Sequence, residues 1–199
     1  QAGGDPVRPL LLQMPEQTGN GLGPTPLEPE QRPRLVLRSA AFFALAALVW
    51  GLDQGVKSWV REHLVDLHGI LEHHGLWGLT YSQNKGGAFG LFPHFAQAFT
   101  VIALLVVFAI IVYFIVKPAK EPFEFFGLAF LLGGVLGNLT DRLLFGHVTD
   151  FIVLPWLRRW PAFNLADSAI TIGAGLLIIS TIVHSIHHEE EPPSEANPV

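Results

Sequence analysis

Long runs without a charged residue dominate this chain, and short polar segments separate them. Residues 95–116 give twenty-two consecutive uncharged positions, the length of helix that a hydrocarbon core of about 30 Å requires at about 1.5 Å per residue. Residues 40–52 form a thirteen-residue run that follows Arg34 and Arg38 and stops at Asp53, so a first span begins near Leu35. Residues 125–140 and 168–183 contribute sixteen uncharged positions each, enough to cross when a turn of helix at each end reaches the interface. The pattern predicts four spans. Between the first two, Trp77, Leu79 and Tyr81 alternate with Gly78, Thr80 and Ser82, the period of a strand with one apolar face. A sheet edge cannot face lipid unpaired, so this strand is expected in a small sheet at the membrane surface. The predicted fold is therefore an all-α membrane protein of four transmembrane helices, with a small β-sheet and interfacial segment at one membrane surface.

Composition agrees with that reading. Half of the 199 residues are hydrophobic and 15% are charged, more apolar than a soluble domain of this size. Residues 1–34 carry seven prolines and no apolar periodicity, so they are expected to be a disordered tail, as is the segment 184–199 with Glu189-Glu190-Glu191. The membrane-spanning core of the chain is then expected over 35–183. A net charge of −5 and scattered basic residues leave no stripe for nucleic acid. The absence of cysteine removes disulfides, thiolate nucleophiles and Cys-based metal sites. Four spans place both termini on one side, and Arg32, Arg34, Arg38, Lys117 and Lys120 fall there, which favours a cytoplasmic location for that face. Lys57, Arg61, Lys85, Arg142, Arg158 and Arg159 lie opposite, so charge is nearly balanced. Trp50, Trp59, Trp77, Trp156 and Trp160 gather toward that opposite face, as amphipathic rings do at a headgroup layer.

Two aspartates stand out in this apolar setting: Asp150 in Gly146-His147-Val148-Thr149-Asp150-Phe151 and Asp167 in Phe163-Asn164-Leu165-Ala166-Asp167-Ser168. A carboxylate near hydrocarbon costs about 2.5–3.5 kcal/mol on insertion scales and marks a functional site. Each alone has a structural explanation: Asp150 as a turn residue between spans three and four, Asp167 as a cap of the last helix. The loop between them returns to one interface, however, so both carboxyls are expected to share a cleft. Two acids at close range in a low dielectric hold one proton between them. That pair can activate water with its ionised member and protonate the leaving amine with the other, without metal or covalent intermediate.

Other polar residues are ranked around this pair. Asn138 and Asn164 can orient an aspartate or hold a substrate backbone. Asp141 is read as structural, ion-paired with the neighbouring Arg142. Asp53 and Lys57 are at i,i+4 spacing and should pair on one helix face. The glycines of Gly133-Gly134-Val135-Leu136-Gly137 permit close helix packing in lipid, and Asn84-Lys85-Gly86-Gly87-Ala88-Phe89-Gly90 is a glycine-rich loop after the strand. Nine histidines carry no HExxH motif and no i,i+4 pair within the expected spans, so no metal site is assigned. His147 is read as a surface or positioning group.

The run from Gly133 to Phe151, followed by Phe163-Asn164-Leu165-Ala166-Asp167-Ser168, resembles the bacterial lipoprotein (type II) signal peptidases. Asp53-Gln54-Gly55-Val56-Lys57 is similar to that family's Asp-Gln-x-x-Lys segment, and the segment 81–89 to its Asn-x-Gly-Ala-Ala-Phe loop, so the likeness covers about 38–183. The resemblance implies an aspartic endopeptidase of the cytoplasmic membrane with its site near the outer leaflet. Such enzymes remove signal peptides from prolipoproteins by cutting before a diacylglyceryl-modified cysteine. It implies Asp150 and Asp167 as the catalytic dyad, with Asn84, Gly134, Asn138, Arg142, Asn164 and Ala166 lining or bracing the site and Asp53, Lys57 and Asp141 in its framework. The expected partners are diacylglyceryl-modified prolipoproteins and membrane lipid, with no cofactor, no nucleic acid and a monomeric state. Gly87 and Val135 stand where the family usually has Ala, and Gly90 where Ser is common. The competing class is a non-enzymatic lipid or lipopeptide carrier with structural aspartates. An intramembrane protease of the Gly-x-Gly-Asp type is disfavoured because neither aspartate follows that motif.

Overall fold

The computed structural model describes residues 31–65, 72–73, 75–85, 96–117, 119, 121–157 and 159–189. Four helices carry the chain: α1 (Gln31–His63), α2 (Ala96–Val116), α3 (Pro122–Phe145) and α4 (Leu165–Glu189). Each is long and apolar enough to cross a membrane, which bears out the four predicted spans. They extend past the uncharged runs. Helix α1 begins at Gln31, inside the expected tail, and α4 continues to Glu189, so residues 184–189 are helical. At about 1.5 Å per residue, the 33 residues of α1 outreach the hydrocarbon and rise to the level of the sheet.

Helix α3 is the axis of the bundle. In its most apolar stretch 56% of residues are buried, against 11% in each of the other three. Small residues make this possible, because helices associate in lipid by close backbone approach. A Cβ at Gly133 would stand 2.6 Å from the Ala46 carbonyl oxygen of α1, one at Gly134 2.6 Å from that of Ala166 in α4, and one at Gly137 2.5 Å from Asp53 Oδ2. At one end of the bundle, Phe42 of α1 stacks on Phe114 of α2 with ring centroids 3.7 Å apart, over Leu128, Ala129 and Leu132 of α3.

The other end carries an antiparallel sheet of order β1 (Glu72–His73), β2 (Gly78–Asn84), β3 (Val148–Val153). The strand expected around Trp77–Ser82 is thus β2, shifted toward Asn84. Helix α3 stops at Gly146, whose φ of 73° and N–H bond to the Arg142 carbonyl at 3.1 Å form a left-handed cap. Two residues later the chain is β3, so Asp150 lies on a strand, opposite Ser82, and not in a turn. Val60, Leu64 and Phe151 form a buried cluster with Leu79, Tyr81 and Ile152 around it, which fixes the sheet on the end of α1. After β3 the chain loops out and returns at Phe163, which exchanges N–H···O bonds with Ile152 of 2.8 and 3.0 Å. Helix α4 starts two residues on.

Replacing Gly134 by Leu should force α3 and α4 apart at their crossing. Overpacking of this kind costs about 1–3 kcal/mol, so thermal unfolding in detergent micelles should occur at a lower temperature than for the parent chain. An unchanged midpoint would show that the crossing has slack.

Candidate active site

Asn164 is the hub. Phe163 pins it beside β3, and it occupies the N-cap position of α4. Its Oδ1 accepts the Asp167 N–H at 2.9 Å while its own N–H donates to Asp167 Oδ2 at 3.3 Å, the reciprocal pattern of a capping box. Its Nδ2 donates to Asp150 Oδ1 at 2.6 Å and to Asn138 Oδ1 at 3.1 Å. Asn138, one turn above Gly134 on α3, donates from Nδ2 to Asp167 Oδ1 at 2.7 Å. Asn84, at the end of β2, donates from Nδ2 to Asp150 Oδ2 at 3.0 Å. Both aspartates are therefore held by one asparagine, although seventeen positions separate them in the chain.

The two carboxyls have unlike surroundings. Asp150 is buried on β3 at 2% exposure. Burial, and secondarily the negative charge of Asp167, push its carboxyl up to about 7, against the opposing hydrogen bonds from Asn84 and Asn164. Asp167 lines a cavity of about 430 Å³, together with Asn84, Asn138 and Arg142 and an apolar wall that includes Phe99 and Ile102 of α2. The Arg142 side chain reaches back to the Asn138 carbonyl at 3.5 Å, lies over the Phe99 ring, and interacts electrostatically with Asp167 and then Asp150. A cation beside the acids and an apolar wall beyond them suit a ligand that carries a polar group on an apolar chain.

Beneath this layer lies a buried ionic cluster. Lys57 Nζ is 2.8 Å from Asp53 Oδ2 and 3.3 Å from Asp141 Oδ2, with all three side chains at 0% exposure. The i,i+4 pair expected on α1 is present. Asp141, expected to pair with Arg142, instead faces Lys57 and Arg61, the latter at 3.4 Å, and accepts the Thr149 N–H at 2.8 Å. Consecutive helical residues point to different sides and do not face each other, which is why sequence adjacency misleads here. Asp53 also accepts the Ala166 N–H at 2.9 Å, placing a negative charge at the N-terminus of α4 where the helix dipole favours it.

Of the residues singled out in the sequence, Asp150, Asp167, Asn84, Asn138, Asn164 and Arg142 come together. Gly134 and Ala166 serve the helix crossing behind the cavity wall. His147 places Nδ1 3.0 Å from the Phe145 carbonyl and has no recorded bond to either aspartate. The rest of the glycine-rich loop, 86–90, lies outside the described residues, as does His74. Among the described residues no three His, Asp or Glu side chains gather so as to hold a metal ion. Three contributors were not anticipated. Arg61 donates to Thr149 Oγ1 at 3.2 Å, Thr149 links Asp141 to β3, and Gln54 Nε2 donates to the Gly137 carbonyl at 3.0 Å. Arg61 was within reach of pattern reading, since 53, 57 and 61 repeat every four residues on one face of α1.

A family model described as Signal peptidase (SPase) II matches residues 45–183. The chain belongs to the signal peptidase II family. The lipoprotein signal peptidase of Syntrophomonas wolfei is 41% identical over 150 residues, covering 74% of this chain and 97% of its own length. That of Pseudomonas aeruginosa is 38% identical over 141 residues, covering 68% and 83% respectively. A bacterial membrane enzyme solved by the in meso method at 2.3 Å resolution superposes with a TM-score of 0.69 at 27% identity, over 78% of this chain and 95% of that one. The peptidase is thus a membrane protein with four spanning helices, and the matched region contains the whole cluster around Asn164.

Lys57→Met in this peptidase would strand Asp53 beside Asp141 without their shared cation. Removing one partner of a buried ion pair costs about 3–5 kcal/mol, so the variant should show strongly reduced recovery of folded protein and a lower unfolding temperature. Parent-like stability would mean that the cluster is hydrated.

Proposed function

We propose that this signal peptidase II family member is an aspartic endopeptidase that removes signal peptides from prolipoproteins, cutting before a diacylglyceryl-modified cysteine. The observation that carries the reading is the Asn164 contact with both carboxyls, Asp150 at 2.6 Å through Nδ2 and Asp167 at 3.3 Å through the backbone N–H. In the proposed reaction Asp167, which opens on the cavity, takes a proton from water as the water oxygen attacks the scissile carbonyl carbon. Asp150, still protonated near neutral pH, donates a hydrogen bond to the developing oxyanion. Its proton then goes to the leaving nitrogen as the C–N bond breaks, giving an amine and a new carboxylic acid whose remaining proton passes to the amine. The dyad recovers one proton, that taken up by Asp167, and the cycle is balanced without cofactor.

Substrate class is supported by the naming of the relatives as lipoprotein signal peptidases and by the apolar wall of the cavity, where acyl chains can stay in hydrocarbon while the scissile bond meets water. In the same reading the enzyme is a monomer of the bacterial cytoplasmic membrane. Both termini are cytoplasmic and the dyad lies near the outer leaflet.

Asp150→Asn and Asp167→Asn should each abolish cleavage of a diacylglyceryl-modified precursor, read as the masses of both fragments, with folding retained. Turnover persisting in either variant would favour a carrier with structural aspartates. A chelator should leave the parent's rate unchanged, and loss restored by zinc would contradict the mechanism. The pH profile has a definite sign. An acid raised to about 7 keeps its proton below that value, so kcat/KM should fall on the alkaline side with an apparent midpoint near it, as the pair loses the shared proton. Asn84→Ala removes a donor that favours the charged form of Asp150, and should move this limb to higher pH.

A further inference from the structure

The buried lysine does more than neutralise its neighbours. A lysine ammonium has three hydrogens and no acceptor. Two contacts of Lys57 are with Asp53 and Asp141, and the third, at 3.0 Å, is with Asn138 Oδ1. An amide side chain alone can sit either way round, yet only its oxygen can face an ammonium. The Asn138 nitrogen must then point to the opposite side, where Asp167 Oδ1 lies at 2.7 Å. From the other end, the Asp167 backbone N–H can only donate, and it fixes Asn164 Oδ1 at 2.9 Å. This leaves Asn164 Nδ2 directed at Asn138 Oδ1 and at Asp150. The two amides form one relay whose direction is set at its ends by groups with a single hydrogen-bonding role.

We infer that Lys57 is a positioning residue of the peptidase: by holding the Asn138 oxygen it keeps the amide N–H turned toward Asp167, so that this carboxylate stays oriented to receive the proton of water. The inference rests on the aspartic reading above and adds to it a residue that touches neither member of the dyad. A flipped Asn138 would bring its oxygen against the Asp167 carboxylate and its N–H against the ammonium, two repulsive contacts for two attractive ones. The charged groups around the relay are Asp53, Lys57 and Arg61 from α1, Asp141 and Arg142 from α3, Asp150 from β3 and Asp167 from α4.

The test separates positioning from charge balance. Lys57→Met combined with Asp53→Asn removes one positive and one negative charge together, and an asparagine at 53 can still accept the Ala166 N–H. Cleavage of a synthetic diacylglyceryl-modified precursor peptide by the full chain in micelles should show kcat lowered on the order of ten- to a hundred-fold, as for a misplaced reacting group, with KM little changed. The alkaline limb of the profile should move to higher pH, because the fully ionised pair loses the aligned hydrogen bond that Asn138 Nδ2 gives it. In a background of Asn138→Ala the double change should have little further effect, since Lys57 acts through Asn138. Asn138→Ala alone, which leaves the Lys57–Asp53–Asp141 cluster in place and removes the N–H facing Asp167 without adding a charge, should give the same limb shift even where the double variant folds poorly. A rate loss uniform across pH with an unmoved limb, or effects that add fully to those of Asn138→Ala, would overturn the inference. Asp150→Asn is measured alongside: an inactive Asp150→Asn with additive effects defeats the positioning role alone, whereas an active one defeats the aspartic reading.

Discussion

One ammonium group, that of Lys57, holds the upper half of this bundle in register. Desolvating a charge costs several kcal/mol, and the cost is offset only by close, well-aligned partners. Asp53 and Asp141 supply those partners at 2.8 and 3.3 Å, which ties α1 to α3. Asp53 also accepts the Ala166 N–H, which ties α1 to the first turn of α4. Three helices are thereby fixed at one level, and that level is where Asn138 and Asp167 stand. Sliding any helix by a turn would leave a buried charge without its partner, so the ionic cluster works as a registration device for the site above it.

Within that frame, two local devices bring the aspartates together. Glycine at 134 and 137 lets α3 approach Ala166 and Asp53 so closely that a methyl group would collide with either. The bridge between Ile152 and Phe163 folds the chain back on β3 before α4 begins, so that Asn164 arrives with one face to Asp150 and its backbone to Asp167. The asymmetry between the acids follows from their elements. Asp150 sits on a strand covered by Asn84 and Asn164, and burial raises its carboxyl to about 7. Asp167 sits in the first turn of a helix, where the Asn164 N–H and the Asn138 amide donate to it.

The spans were legible because uncharged runs in lipid have few alternatives. Their ends were less so. Residues 31–34 and 184–189 continue helices whose interiors were read correctly, since arginines and histidines at a span's edge do not stop a helix whose backbone bonds are already satisfied. The Asp53–Lys57 pair was legible from its spacing, and so were the two aspartates from their rarity in an apolar chain. What the sequence concealed was pairing across distance: Asp141 finds Lys57 and Arg61 some eighty residues away, and its neighbour Arg142 turns instead to the cavity. The strand at Val148–Val153 was hidden for a related reason. A six-residue strand within the connection between two helices is too short to distinguish from a turn, and its ladder partner lies in β2.

The placement of the acids at the boundary of the bundle has a physical logic. Deep in hydrocarbon a second carboxyl has no donors except those of other helices, whose backbone groups are already used. At the end of α3 the chain leaves the helical bonding pattern, and strand edges, a helix N-terminus and amide side chains all become available as donors. Asp150 and Asp167 take two each from this supply: Asn84 and Asn164 for the first, Asn138 and the Asn164 N–H for the second. Acid pairs of this kind need many donors and little water, and the rim of a membrane helix bundle is where both conditions meet beside lipid.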